Sequence, residues 1–150
     1  MQTFLHGRDL IGDLDFSKEE VETVLDVAFD LKRKRALNES TAYLRDKVLA
    51  MLFFFSSTRT RGSFEAGMAQ LGGHALYLST NDLQLGRGET IADTARVLSR
   101  YVNAIMARVY KHQDVEELAA HATVPVINGL SDLAHPTQGL ADMLTIKEHL

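Results

Sequence analysis

Residues 47–73 read KVLAMLFFFSSTRTRGSFEAGMAQLGG. The stretch opens with an apolar run from Val48 to Phe55 in which only Ala50 is small. It breaks into Ser56-Ser57-Thr58-Arg59-Thr60-Arg61, all small or cationic. A helical pattern then places Phe64, Met68 and Leu71 on one face and stops at Gly72-Gly73. Buried strand, polar turn, helix and glycine stop is the reading this order supports. A helix start offers free backbone N–H groups and a partial positive charge. The hydroxyls of Ser57, Thr58 and Thr60 add donors, and Arg59 adds a fork that matches phosphate oxygens. The turn can therefore cradle an anion, phosphate above all. An ordinary helix cap flanked by surface arginines would leave the same trace.

The same alternation extends in both directions. Upstream, residues 1–16 form a lead-in, and Ser17-Lys18-Glu19-Glu20 is a capping-box pattern that predicts a helix to about Leu37. Val21, Val24, Leu25, Ala28 and Leu31 form its apolar stripe, and Lys32-Arg33-Lys34-Arg35 suit a helix C-terminus. Downstream, His74–Ser79 reads as a second strand, Thr80–Glu89 as a loop with two glycines, and Thr90–Val102 as a helix. Asn103–Tyr110 is a third strand, and the cap pattern of Asp114 to Glu117 predicts a short helix to about His121. Thr123–Asn128 is a fourth strand, Gly129–Ala134 a loop, and His135-Pro136-Thr137-Gln138 opens a last helix through Leu150. Strand and helix in strict turn argue for an α/β fold of three αβα layers, a four-stranded parallel sheet in the order 2-1-3-4 flanked by helices. That order puts a switch point between strands one and three, where ligands bind outside the carboxyl ends.

Bulk composition narrows the function classes. A chain of 150 residues suits one domain. A net charge of −4 gives no global basic surface for nucleic acid, so the cationic run 32–35 reads as a solvated helix end. There is no cysteine, hence no disulfide and no thiolate metal site, which is compatible with a cytoplasmic setting. The N-terminal residues carry no apolar signal core, and no stretch is long and apolar enough to span a membrane. Walker, GxGxxG and GxSxG patterns are absent, and the six histidines show no metal-ligand spacing on a helix.

Arg108 interrupts an apolar strand, Ala104-Ile105-Met106-Ala107-Arg108-Val109. A buried charge is costly without a partner, so either a carboxylate or a bound anion must meet it. The anion is favoured because the cationic turn lies at the same sheet edge. His135 alone reads more often as a structural cap than as a catalyst. Gln84, Arg87 and Glu89 occupy a loop long enough to carry function, or to be only a surface turn.

Taken together, strand–SSTRTR–helix, then NDLQLGRGETIADTARVLSRY, then HPTQGLADMLTI resemble the aspartate and ornithine carbamoyltransferase family. The resemblance is to the N-terminal, carbamoyl-phosphate-binding domain. It covers nearly the whole chain, including FLHGRDL at its start. STRT and HPTQ are shared across the wider family, whereas DLQLGRGE looks like the ornithine branch. Gly62 departs from the larger or β-branched residue expected after the second arginine.

The resemblance implies roles for particular residues. Ser57, Thr58, Arg59 and Thr60 would hold the phosphate of carbamoyl phosphate. Arg108 and His135, with Thr60, would reach the carbamoyl oxygen as the catalytic pair, and Gln138 would hold the carbamoyl nitrogen. Gln84 would reach into a neighbour's site, since family members are homotrimers built on this domain. Neither a metal nor an organic cofactor is implied, nor a nucleic-acid or membrane partner. The second domain, with the ornithine-recognising loop and an HCLP-type segment, has no counterpart in residues 1–150, so the expectation is half of an enzyme without turnover alone. An aspartate carbamoyltransferase-type domain and a non-catalytic anion-binding or assembly module are the alternatives.

Overall fold

The computed structural model describes residues 4–150; of the expected lead-in, residues 1–3 lie outside the described residues. Among the described residues five α-helices and four strands alternate as the spacing predicts. Helix α1 (Lys18–Ala36) starts with both halves of its capping box in place: Glu20 N–H donates to Ser17 Oγ and Ser17 N–H donates to the Glu20 carboxylate. Its cationic end is tied down by acids, Arg33 to Asp30 and Glu39, and Lys34 to Asp30.

Strand β1 (Val48–Phe53) is buried at every position after the first. It pairs in parallel with β2 (His74–Ser79) on one side and β3 (Ala104–Arg108) on the other, and β3 pairs with β4 (Val126–Leu130). The order is therefore β2-β1-β3-β4, as the alternation predicts. Side chains of a strand alternate between faces, and the core divides accordingly. Ala50, Leu52, Ile105 and Ala107 pack with Ala95, Val115 and Leu118 of α3 (Ile91–Leu98) and α4 (His112–His121). Leu49, Met51, Phe53 and Met106 pack on the opposite face with Met68 of α2 (Thr58–Gln70). Helix α5 (Pro136–His149) packs on β4 and on α1.

Several boundaries differ from the sequence reading, each for a physical reason. The fourth strand begins three residues later than expected, at Val126, because Pro125 has no N–H to give the ladder. It also runs past Asn128 through a bulge: Ala107 faces Asn128 but Arg108 faces Leu130, which leaves Gly129 over. A Cβ on Gly129 would lie 2.5 Å from Met106 Sδ and 3.3 Å from the Ala107 carbonyl oxygen, so any side chain there requires Met106 to shift. The cap pattern at Asp114–Glu117 does not start a helix. Helix α4 begins at His112, whose N–H donates to Asp132 Oδ1 at 2.7 Å, a cap supplied from the loop after β4. The loop 80–89 contains a 3-10 turn, Gln84–Arg87, with Leu83 buried before it. Helix α3 ends at Leu98 rather than Val102, and the first and third strands are shorter than expected, ending at Phe53 and Arg108.

The N-terminal lead-in also has a defined place. Leu10 bridges to Ile127 along the outer edge of β4, with its N–H on the Val126 carbonyl at 2.9 Å and its carbonyl on the Asn128 N–H at 2.8 Å. The Asp9 carboxylate takes the Val126 N–H at 2.7 Å. An otherwise open strand edge is thereby covered.

Candidate functional site

Parallel pairing sets Phe53 opposite Arg108, and the Phe54 N–H donates to the Arg108 carbonyl at 2.9 Å. The polar turn after β1 and the cation at the end of β3 are therefore neighbours at the switch point. Ser57 caps α2: its backbone is extended and its hydroxyl accepts from the Thr60 N–H at 3.2 Å. The first-turn amides of Thr58 and Arg59 have no acceptor within the helix. Thr60 is buried, and its hydroxyl oxygen accepts from Arg108 Nη1 at 3.0 Å.

Arg108 lies with its guanidinium carbon 4.6 Å from the centroid of the Phe55 ring, which stacks in turn on Tyr110 at 4.7 Å. Its Nε is buried without a hydrogen-bond partner. Burial, and secondarily the nearby Arg59 charge, hold this guanidinium below its ordinary proton affinity. The Arg59 and Arg108 charges act on one another here, and among the described residues no ion pair joins Arg108 to a carboxylate. An anion with several acceptor oxygens could meet both guanidinium groups.

His135 precedes Pro136 at the start of α5 and makes no side-chain cap. Its Nδ1 lies 3.2 Å from Thr137 Oγ1. If the Thr137 hydroxyl donates in this contact, the proton of the neutral ring is on Nε2. Burial, then the charge of Arg108, lower its proton affinity against the opposing pull of Asp13 and Asp142. The ring is therefore held neutral at pH 7. The turn that presents it hangs from Asn128, which is fully buried. Asn128 Nδ2 donates to the Ile11 carbonyl at 2.8 Å, to Ser131 Oγ at 3.2 Å and to the Ala134 carbonyl at 3.3 Å, while its Oδ1 accepts the Leu130 N–H at 3.0 Å.

A cleft of about 450 Å³ is lined by Ser57, Arg59, Thr60, Arg108, His135 and Gln138. Six of the eight residues singled out from the sequence thus meet on one surface. Thr58 does not. It borders a separate hollow on the other side of the α2 start, with Arg61 and Tyr77. Arg61 is engaged there, 3.7 Å above the Tyr77 ring and 3.2 Å from the Glu65 carboxylate. Gln84 is exposed on its 3-10 turn and is not among the cleft residues. Gly62 has open space where a Cβ would be, so no close approach within the chain requires glycine.

The cleft is completed by Ser63, Phe64, Leu130, Thr137 and Ala141, which the sequence reading did not single out. Ser63 follows Thr60 by three residues, one helical turn, and that spacing was available as a signal. Asn128 carried the same signal as Arg108, a polar residue within an apolar strand. It escaped notice because the strand was expected to end there.

The family described as aspartate/ornithine carbamoyltransferase, carbamoyl-P binding domain, matches residues 8–148. The anabolic ornithine carbamoyltransferase of Pyrococcus furiosus is 61% identical over 148 residues, which are 99% of this chain and 47% of that protein. A solved structure of the ornithine carbamoyltransferase from Pyrococcus furiosus superposes with a TM-score of 0.95 at 60% identity, over 98% of this chain and 47% of that one. The aspartate transcarbamoylase from Trypanosoma cruzi, solved in complex with carbamoyl phosphate and aspartate, gives a TM-score of 0.90 at 32% identity, over 97% of this chain and 49% of that one. The chain spans about half the length of the curated relatives it matches. With its switch-point cleft, its capped STRT turn and its HPTQ helix start in the matched region, this chain belongs to the aspartate/ornithine carbamoyltransferase family, as its carbamoyl-phosphate-binding domain.

Proposed function

We propose that residues 1–150 are the carbamoyl-phosphate-binding half of an ornithine carbamoyltransferase of arginine biosynthesis, working in the cytoplasm. The observation that carries this reading is Arg108: a guanidinium with a buried, unpartnered Nε, no ion pair to a carboxylate among the described residues, and the charge of a second arginine acting on it. An anion with several acceptor oxygens would satisfy it. In this reading the first-turn amides of α2, that of Thr58 among them, the hydroxyls of Ser57 and Thr60, and Arg59 bind the phosphate; the Thr58 side chain, on the other hollow, contributes through its backbone alone. Arg108, His135 and Thr60 donate to the carbamoyl oxygen, and Gln138 meets the carbamoyl nitrogen. Gln84 acts on the cleft of a neighbouring subunit in a homotrimer, which fits its exposed place away from its own cleft.

The reaction joins the δ-amine nitrogen of ornithine to the carbamoyl carbon. The bond from that carbon to the phosphate oxygen breaks, phosphate leaves, and the amine gives up a proton. Negative charge grows on the carbamoyl oxygen and on the leaving phosphate. Fixed donors at both places lower the barrier because they need no rearrangement as the charge appears. Neutral His135, with its proton on Nε2, would serve as such a donor. Holding the amine against the carbon is the work of a second domain, and without it the entropy advantage is lost.

Calorimetric titration of the chain with carbamoyl phosphate and with inorganic phosphate tests the reading. Weak binding of both is expected. Arg59→Ala should weaken it by about 1.5–3 kcal/mol, the loss of a charge-assisted bond. Folded protein that takes up neither ligand would refute the site. Ornithine-saturable citrulline formation by residues 1–150 would refute the division of labour between two domains.

A further inference from the structure

Gln138 is the third residue of α5, and its side chain forms part of the cleft wall. Its amide has two unlike ends, a nitrogen that donates two protons and an oxygen that only accepts. One helical turn on, Asp142 Oδ1 accepts a hydrogen bond from Gln138 Nε2 at 2.8 Å. An ionised carboxylate has no proton to give. It can therefore hold only the nitrogen end, and a flipped amide would set two oxygens against each other. The consequence is that Oε1 is the end left for a ligand. No donor among the described residues engages it. The fixed charges of the cleft, Arg59 and Arg108, can only donate. Asp142 also stands close enough to the cleft to act on His135, whose proton affinity it raises.

A carbamoyl group and an acetyl group have nearly the same shape. They differ in one place, where an NH2 with two donor protons replaces a methyl. We propose that Asp142 is a positioning residue that locks Gln138 as an acceptor, and that this lock makes the cleft select an acyl phosphate bearing an amide NH2 over its methyl isostere. The proposal rests on the reading of the cleft as a carbamoyl phosphate site. The selectivity comes from orientation alone. A free glutamine could turn its NH2 toward either ligand or toward solvent and would discriminate weakly.

Two stable phosphonates test this by titration calorimetry on the 150-residue chain: phosphonoacetamide and its methyl isostere, 2-oxopropylphosphonate. The wild type is expected to prefer the amide by about five- to tenfold, the worth of one net hydrogen bond. In Asp142→Ala and in Gln138→Ala the ratio should fall to within about twofold, mainly by loss of the amide ligand. Asp142→Asn, which can hold either end of Gln138, should fall between. A glutamine–aspartate pair one turn apart contributes little to helix stability, so these variants should fold. The ratio is a readout that a general structural role would not move. Asp142→Ala with the wild-type ratio, or with equal losses for both ligands, would overturn the proposal. Wild-type protein that binds both phosphonates equally would overturn it while leaving the phosphate site standing. Wild-type protein that binds neither these nor inorganic phosphate would take the site reading down with it.

Discussion

Replacing Arg108 by methionine separates an arginine kept for a ligand from one kept for the fold. A buried guanidinium paired with a carboxylate cannot be removed cheaply, since the stranded partner costs about 3–5 kcal/mol. Among the described residues Arg108 has no such partner. Its contacts are the Thr60 hydroxyl at 3.0 Å and the Phe55 ring at 4.6 Å. Losing the charged hydrogen bond costs roughly 1.5–3 kcal/mol, and losing the ring contact roughly 0.5–1 kcal/mol. Against this, the unsatisfied Nε disappears, which returns roughly 1–3 kcal/mol, and so does the repulsion from Arg59. Methionine refills the space beside Phe55. The contributions nearly cancel, so the ligand-free variant should lie within about 2 kcal/mol of wild type. For a chain of this length, 1 kcal/mol is roughly 2–4 °C in Tm. The liganded state should behave differently. Phosphonoacetamide, which carries both the phosphonate and the carbonyl, stabilises the wild type by about 2.7 kcal/mol at a hundredfold its Kd. The variant lacks the charged hydrogen bond to that carbonyl, worth about 1.5–3 kcal/mol, and should keep at most about half of this at the same concentration. Thermal melts of both proteins with and without phosphonoacetamide read all four values. A ligand-free loss of about 3–5 kcal/mol, or a phosphonoacetamide-induced shift of wild-type size in the variant, would refute the assignment of Arg108 to the ligand.

Two further outcomes follow from the groups around the cleft. Asn128→Ala removes the side-chain partner of the Leu130 N–H and of the Ile11 carbonyl, while the Ala134 carbonyl keeps the Ser131 N–H at 3.0 Å; urea unfolding should show a loss of about 1–3 kcal/mol, and an unchanged midpoint would mean that the turn before His135 does not hang from Asn128. His135 has a proton affinity lowered on folding, by burial first and by Arg108 second. Below pH of about 6.5, the ordinary histidine value, the unfolded chain binds the proton more readily than the folded one. Stability from this group is therefore complete above that pH and is lost as pH falls through it toward the folded value. Unfolding of wild type and His135→Gln at pH 7.5 and 5.5 checks the sign: the wild type should lose more stability on acidification, and equal losses would refute it.

The alternation of strand and helix was legible because its signals are short. The Ser17–Glu20 capping box, the apolar run from Val48 and the face of Phe64 and Met68 each repeat within a turn or two of chain. Arg108 was legible as an anomaly, since a charge on a buried strand demands an explanation whatever the fold. The boundaries around β4 were harder. Pro125 delays the strand and Gly129 carries it through a bulge, and what crowds that position is Met106 on the neighbouring strand. The cap of α4 was out of reach for the same reason, because Asp132 lies in another loop and local pattern pointed to Asp114 instead.

By itself, then, the sequence determined the elements, their parallel class and most of the polar groups at the carboxyl edge, because propensity, capping and periodicity act between near neighbours in the chain. Tertiary structure decided which of those groups face one another. The register of Phe53 on Arg108 joins the STRT turn to Arg108, and the Arg108–Thr60 bond closes the pair. Thr58 and Arg59 are adjacent in sequence but border different hollows, since each step along a helix turns the side chain by about 100°. Which side of α2 becomes the cleft depends on where β3 and α5 lie, and pairing between strands far apart in the chain sets that.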